Sequence, residues 1–252
     1  MEASNKKNDK IVLIIIIVIV VGVLLLCCCG GILLLFSSTN SNNNSDADSV
    51  SEGNGDITQE DRNIDFVDTF DSNKYGWIVG SSSNEYADID RNIVDGKYVW
   101  DINVKKDATM IAISNPAVEK AKSMTVSVDV EQVNASASTN YNLILFYNDE
   151  NNYCSFKLNQ EYQQYNIGII KDGVWTDWLK WTRDPVVNYR DINNLKIHSE
   201  NGTHIFYING VEVFRKTDSQ LESGGVAIAV QGYESGQFGT WKFDNFEYKK
   251  LQ

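Results

Sequence analysis

The chain is poor in the residues that most often carry chemistry. Of its 252 residues four are cysteine, three of them adjacent at Cys27, Cys28 and Cys29, so no disulfide framework can be built. Histidine occurs only as His198 and His204, which leaves little for a histidine-based nucleophile or a histidine-rich metal site. Positive charge is also short: 22 Lys and Arg stand against 34 Asp and Glu, a formal net charge of −12. A nucleic-acid binder needs a basic face to neutralise phosphates, and a protein held on anionic lipid by charge alone needs a basic patch. Neither class is expected, and no nucleic-acid partner is. Finally, no long segment keeps a 3.6-residue apolar period, which argues against a helical domain.

What is there is unevenly distributed. Residues 11–36 form a run of 26 without a charge, dominated by Ile, Val and Leu. As a helix it would extend about 39 Å at ~1.5 Å per residue, enough to cross a hydrocarbon core of about 30 Å with some tilt. A signal peptide has an apolar region of about 7–15 residues ending in small residues, whereas here Leu24, Leu25 and Leu26 precede the cysteines. The expectation is one transmembrane helix over 11–36. Lys6, Lys7 and Lys10 precede the run, and Asp46, Asp48, Glu52, Asp56, Glu60 and Asp61 follow it with only Arg62 against them. The positive-inside rule then places residues 1–10 in the cytoplasm as a short tail and the C-terminal part outside the cell. The reading is a single-pass cell-membrane protein, integral in the membrane, with an extracellular domain. Cys27, Cys28 and Cys29 read as small apolar residues in lipid, with palmitoylation or contact with a second helix, which Gly30-Gly31 would permit, as the other readings. Residues 37–63 are Ser, Asn and acids with almost nothing to bury, so a disordered spacer is expected.

Residues 64–252 carry the folded part, and their signal is period two. Met124, Val126, Val128 and Val130 alternate with polar residues without a break, as on a strand with one buried face. Leu143/Leu145/Tyr147, Cys154/Phe156/Leu158, Ile205/Tyr207 and Val226/Ile228/Val230 continue the pattern, which makes Cys154 a core residue rather than a reactive thiol. Asp95-Gly96, Asp172-Gly173, Asn201-Gly202 and Asn209-Gly210 supply pairs that tolerate positive φ between strand-like runs. Trp241 and Phe243 share one phase while Phe246 and Tyr248 share the other, which predicts a β-bulge at Asp244-Asn245. Val118 to Lys122 has room for one helical turn at most. The expected fold class is all-β: an antiparallel sandwich or jelly roll.

Particular stretches carry a resemblance. Gly173-x-Trp175-Thr176, Leu179-x-Trp181-Thr182, Asn194-Leu195-Lys196-Ile197, Phe206-Tyr207-Ile208-Asn209-Gly210, Gly224-Gly225-Val226-Ala227 and Phe243-Asp244-Asn245-Phe246, with Phe66-x-Asp68-x-Phe70 and Trp77 at the start, resemble the concanavalin A-like, laminin-G-like jelly-roll domains of bacterial surface proteins. That superfamily includes lectins, carbohydrate-binding modules and glycoside hydrolases. The resemblance therefore implies a glycan-facing domain and no specific activity.

A jelly-roll glucanase usually carries its carboxylates on one strand as Glu-x-Asp-x-x-Glu, and that motif is absent; Glu85, Asp88 and Asp90 form the nearest cluster, at the wrong spacing. The expectation is a non-enzyme. His198 and His204 flank one turn without further ligands nearby, so they read as ordinary hairpin residues. No cofactor is expected beyond a structural calcium, for which Asp68, Asp71 and Asp244 are candidate ligands, although calcium takes six to eight oxygens. For sugar, rings with polar neighbours are needed. Trp175 and Trp181 should point one way and Trp178 the other. That makes Trp178 the main ligand-binding candidate, with Tyr162, Tyr165, Tyr189 and Tyr233 on the rim. The reading is a tethered domain binding a polysaccharide, a surface glycan or another surface ligand without catalysis. The alternatives are a structural or protein-interaction ectodomain of an envelope complex and a glycan-active enzyme. Exposed coplanar aromatics would favour the first, a sheet floored by small aliphatic residues the second, and two carboxylates across a cleft the third.

Overall fold

The computed structural model describes residues 65–115 and 117–251, together with Ile15–Ile17. The tail, the linker and nearly all of the 11–36 run lie outside the described residues. Its described piece, β1 (Ile15–Ile17), is a strand rather than a helix and pairs parallel with Thr109, Met110 and Ile111.

Fifteen further strands follow: β2 (Asp65–Asp68), β3 (Gly80–Ser83), β4 (Ala87–Val94), β5 (Lys97–Val104), β6 (Thr109–Ser114), β7 (Met124–Ala135), β8 (Asn140–Asp149), β9 (Asn152–Asn159), β10 (Gln164–Lys171), β11 (Val174–Arg183), β12 (Asn193–Glu200), β13 (Thr203–Ile208), β14 (Val211–Thr217), β15 (Gly225–Gly232) and β16 (Phe238–Lys250). They form two sheets. One runs β1-β6-β15-β8-β9-β10-β11, and the other runs β14-β13-β12-β7-β16-β5-β4-β3 with β2 beside β16. All pairings except β1–β6 are antiparallel. No helix occurs among the described residues, and none there is long and apolar enough to cross a membrane.

The four expected turns close hairpins with both central residues at positive φ: Asp95-Gly96, Asp172-Gly173, Asn201-Gly202 and Asn209-Gly210. The alternating stripes Met124/Val126/Val128/Val130, Cys154/Phe156/Leu158 and Val226/Ile228/Val230 meet in one core between the sheets. In β16 the register against β7 shifts between Asp244 and Glu247, with Asn245 at φ 45. The bulge keeps Trp241, Phe243, Phe246 and Tyr248 all inside. At the opening end Phe66, Phe70, Trp77, Tyr98 and Phe246 form an aromatic cluster with ring centroids 5.2–5.9 Å apart in the Phe66–Phe246, Phe70–Trp77, Phe70–Tyr98, Trp77–Tyr98 and Trp77–Phe246 pairs, the range in which such pairs add to plain burial.

Two stripes differ from expectation. Leu143 and Leu145 face the core, but Phe146 takes φ 54 and turns inward beside them, so Tyr147 goes to the opposite face of the sheet. In β13 it is Phe206 and Ile208 that enter the core, not Ile205 and Tyr207. The run Ile205-Phe-Tyr-Ile208 is apolar at every position, and alternation cannot choose its phase. Val118 to Lys122 is irregular, joined to the domain by a bridge between Ala121 and Gly224.

The seven-stranded sheet is buried on both faces. Behind the core, a second cluster of Met110, Ala112, Ile144, Tyr147, Tyr153, Ile170, Ala227 and Ala229 lies on its other side, with Trp175 packed against it.

Candidate functional site

Alternation that sends Leu143, Phe156 and Ile167 into the core sends their neighbours to the second face, and those neighbours are polar. Register aligns Ala112, Ala229, Asn142, Lys157 and Asn166 in one row across β6, β15, β8, β9 and β10. The next row holds Ala227, Ile144, Ser155, Gly168 and Asp177. Alanines, Ser155 and Gly168 keep the floor low. Asn142, Ser155, Asn166 and Lys157 are buried, Trp175 is half-buried and Asp177 is exposed, so the rows run inward from the β11 edge.

At that edge the side chains hold one another. Trp175 Nε1 donates to Asp177 Oδ1 at 2.9 Å, and Asn166 Nδ2 donates to the same oxygen at 2.8 Å and to Leu179 O at 2.7 Å. The indole leans over Gly168, where an added Cβ would lie 2.6 Å from its ring. The Lys157 ammonium sits 3.9 Å from the ring centroid, a cation–π arrangement. Burial draws the Lys157 pKa down to about 8, with Asp177 opposing the shift.

Further in, the polar atoms lack partners. Asn142 Oδ1, Ser155 Oγ, Asn140 Oδ1 and Gln231 Oε1 are buried without a hydrogen bond, while Asn142 Nδ2 reaches Met110 Sδ at 3.4 Å and Asn140 Nδ2 donates to Tyr233 Oη at 2.8 Å. An unmade buried hydrogen bond costs about 1–3 kcal/mol. A ligand with several hydroxyls could offset that cost at four points on one face.

The expected site residues lie elsewhere, with one exception. Trp178 is turned toward the core: it packs on Phe206 and stacks on His204 with centroids 5.6 Å apart and planes at 8°. The cause is two register shifts between β10 and β11, the second between Ile167 and Gly168, which place both Trp178 and Leu179 on the inner side. Trp175 takes the outer face instead, and Trp181 is exposed. Tyr165 is buried in the core, a correction to its place on the rim. Tyr162 and Tyr189 are exposed, at 47% and 48%, and Tyr189 Oη donates to Glu161. They sit by the turn beyond β9. Tyr233 alone adjoins the polar rows, through Asn140.

The three calcium candidates are committed separately. Asp68 accepts from Phe70 N at 2.9 Å and Trp77 Nε1 at 2.8 Å. Asp71 accepts from Thr69 Oγ1, and Asp244 pairs with Lys97 and accepts from Asn245 N. Among the described residues no group of three His, Cys, Asp or Glu could hold a metal ion. Asp88 is paired with Lys105, whose hydrogen bond holds its carboxyl below the usual range, and Glu85 with Lys106.

A separate cleft of about 840 Å³ is lined by Lys120, Lys122, Phe146, His204, Glu222 and Lys250 among others. His204 is buried there, with Nδ1 against Ser199 Oγ at 2.9 Å and Nε2 against Asp218 O at 3.1 Å. Both ring nitrogens are engaged, so the ring has no free valence for a ligand. Burial lowers its pKa below the ordinary value, the contacts to Asp218 opposing. The folded state therefore binds this proton less readily than the unfolded chain, and its contribution to stability is present above about pH 6.5 and lost as pH falls through the folded value. Thermal midpoints measured from pH 8 to pH 5 should fall toward acid, and His204→Gln should flatten that slope.

No family model matches the sequence, and no curated protein is similar to it. Solved structures are similar in fold. The Bacillus licheniformis β-glucanase matches 75% of this chain and 98% of its own with a TM-score of 0.54 at 9% identity. A Bacillus subtilis protein of unknown function with a galectin-like fold matches 73% of this chain and 94% of its own, with a TM-score of 0.53 at 11% identity. The fold is a concanavalin-like jelly-roll sandwich. The endo-β-galactosidase of Clostridium perfringens that releases GlcNAcα1-4Gal matches 73% of this chain over 62% of its own, with a TM-score of 0.55 at 10% identity. At these identities the likeness extends to the jelly-roll sandwich alone.

Proposed function

We propose that the jelly-roll domain binds carbohydrate, without hydrolysing it, on the second face of its seven-stranded sheet. The observation that carries this is the set of buried, unpartnered polar atoms on Asn140, Asn142, Ser155 and Gln231, aligned beside Lys157 and Trp175. Sugars present hydroxyls that both donate and accept, and ligand sites combine apolar walls with a few convergent polar groups. The β-glucanase and endo-β-galactosidase that share the fold act on glycans, which agrees with this reading. Non-catalysis is supported by charge: among the residues of the two aligned rows, Asp177 is the one carboxylate. Glycoside hydrolysis uses two, about 5–10 Å apart.

A second reading has its own observation. Ala112, Ala227 and Ala229 make the β6–β15 half of the face a flat apolar floor beside Ile144 and Met110, which suits a protein partner better than a sugar.

The proposal includes display at the cell surface by the uncharged 11–36 run, with residues 1–10 inside. A transmembrane helix needs some 20 apolar residues, and this run has 26 without a charge. The test of function is a glycan array probed with the full-length chain. Reproducible retention of one glycan class is expected; silence on the array, with a protein partner captured through the alanine floor, would transfer the site to the second reading.

A further inference from the structure

The geometry points to an acidic sugar as the ligand: one whose carboxylate or sulfate group sits against the Lys157 ammonium. This rests on the carbohydrate reading of the same face and narrows it.

Lys157 is 8% exposed in a chain whose net charge is −12. Burying an ammonium is costly unless an anion or several acceptors meet it, and Lys157 has neither among the described residues. The ammonium meets the Trp175 ring, 3.9 Å away, and among the described residues no carboxylate lies within ion-pairing distance. Asp177 is near enough to be felt electrostatically, but its Oδ1 already accepts from Trp175 Nε1 and Asn166 Nδ2. Those bonds fix the carboxylate and the indole as a prop under the ammonium rather than as its partner.

The same arrangement argues against the usual alternative. A neutral sugar would be expected to stack on the indole, yet one face of Trp175 is covered by the ammonium and its edge lies over Gly168. What the face offers is a fixed positive charge flanked in register by Asn142 and Asn166 and diagonally by Ser155. Asn142 Oδ1 and Ser155 Oγ are free to take hydroxyls of the ring that carries the anion. An ammonium is a compact point charge without the planar fork of arginine, so carboxylate and sulfate share the chemistry. The acidic surface repels polyanions in general, and attraction to one therefore has to come from a local site.

The test is titration of the full-length chain with two matched pairs of polymers: polygalacturonate against its methyl ester, and dextran sulfate against dextran. The wild type should bind the charged member of at least one pair ten times or more tighter than its neutral partner, and which pair responds separates carboxylate from sulfate. Lys157→Met, which keeps an unbranched side chain of similar length without the charge, should erase the preference, and Lys157→Arg should keep part of it. Equal affinity for charged and neutral members, or a preference that survives Lys157→Met, would overturn the inference while leaving the carbohydrate reading standing. Binding of no polymer, together with a silent glycan array, would remove both. If Lys157→Met fails to fold by near-ultraviolet circular dichroism, the wild-type comparison within each pair still decides.

Discussion

Gly224→Ala should cost the domain roughly 3 kcal/mol or more, the upper end for forcing an extra methyl into a packed site. A Cβ at Gly224 would lie 2.4 Å from the carbonyl carbon of Phe146, 2.6 Å from its Cα and 2.7 Å from its oxygen. These are backbone atoms, which cannot swing aside as a side-chain tip can. Phe146 is itself held at φ 54, with its ring buried and edge-on to His204 at 5.5 Å. Moving it would disturb the core and the β8 phase together. Gly224 is equally constrained, because it exchanges both backbone hydrogen bonds with Ala121, at 3.0 and 3.1 Å. Against a typical total of about 5–15 kcal/mol, the loss should be plain in urea denaturation. Gly210→Ala is the contrasting case: no atom lies within 4 Å of its Cβ position, and only its φ of 80 opposes the change.

Asp68→Ala should be of similar size, about 3–4 kcal/mol, from loss of two hydrogen bonds to a buried charged acceptor at roughly 1.5–3 kcal/mol each. Asp68 is buried, with Oδ1 on Phe70 N and Oδ2 on Trp77 Nε1. The first bond stabilises the turn in which Phe70 adopts φ 53, a role suited to aspartate. The second satisfies an indole N–H that is buried with the rest of Trp77 in the opening aromatic cluster. Alanine leaves both donors unpaired. At roughly 2–4 °C per kcal/mol for a domain of this size, the thermal midpoint should drop by about 10 °C. Asp68→Asn retains one acceptor oxygen and should fall between the two. If calorimetry found Asp68→Ala unchanged, the anchoring of β2 would have been misassigned.

These two sites show which parts of the molecule were readable in the amino-acid order. The hairpins were, because Asp-Gly and Asn-Gly pairs have a steric reason to sit at positive φ. So were the strictly alternating stripes, and the bulge at Asp244-Asn245, where an aromatic pattern changes phase. The phases of Tyr147 and Trp178 were not. Each depends on an irregularity without a compositional mark: a phenylalanine at positive φ in β8, and shifted pairing between β10 and β11. Trp178 therefore stacks on His204 inside, and Trp175 stands on the outer face.

The candidate site was half legible. Ser155 and Lys157 interleave with Cys154, Phe156 and Leu158, and Asn166 and Gly168 with Tyr165, Ile167 and Ile169. Following the polar phase of these strands, rather than the apolar one alone, leads to the rows directly. What alternation could not supply is their alignment across five strands, which is a matter of register. The unpartnered state of Asn142 and Ser155 is likewise a property of the assembled sheet. Asp68, Asp71 and Asp244 were grouped because the first and last strands meet, and β2 does pair with β16. Their carboxylates are nevertheless spent on a turn, a threonine and a lysine.

We place ligand binding on the second face of the seven-stranded sheet. That placement is tested most directly by titrating the glycan best retained on the array into the wild type and Asn142→Ala, with thermal midpoints as the check on folding. At least a tenfold loss of affinity is expected in Asn142→Ala with only a small shift of the midpoint, since Asn142 Oδ1 has no partner within the protein and Nδ2 has only the weak contact to Met110 Sδ at 3.4 Å. Undiminished binding by a folded Asn142→Ala chain would contradict it and move the ligand off this face.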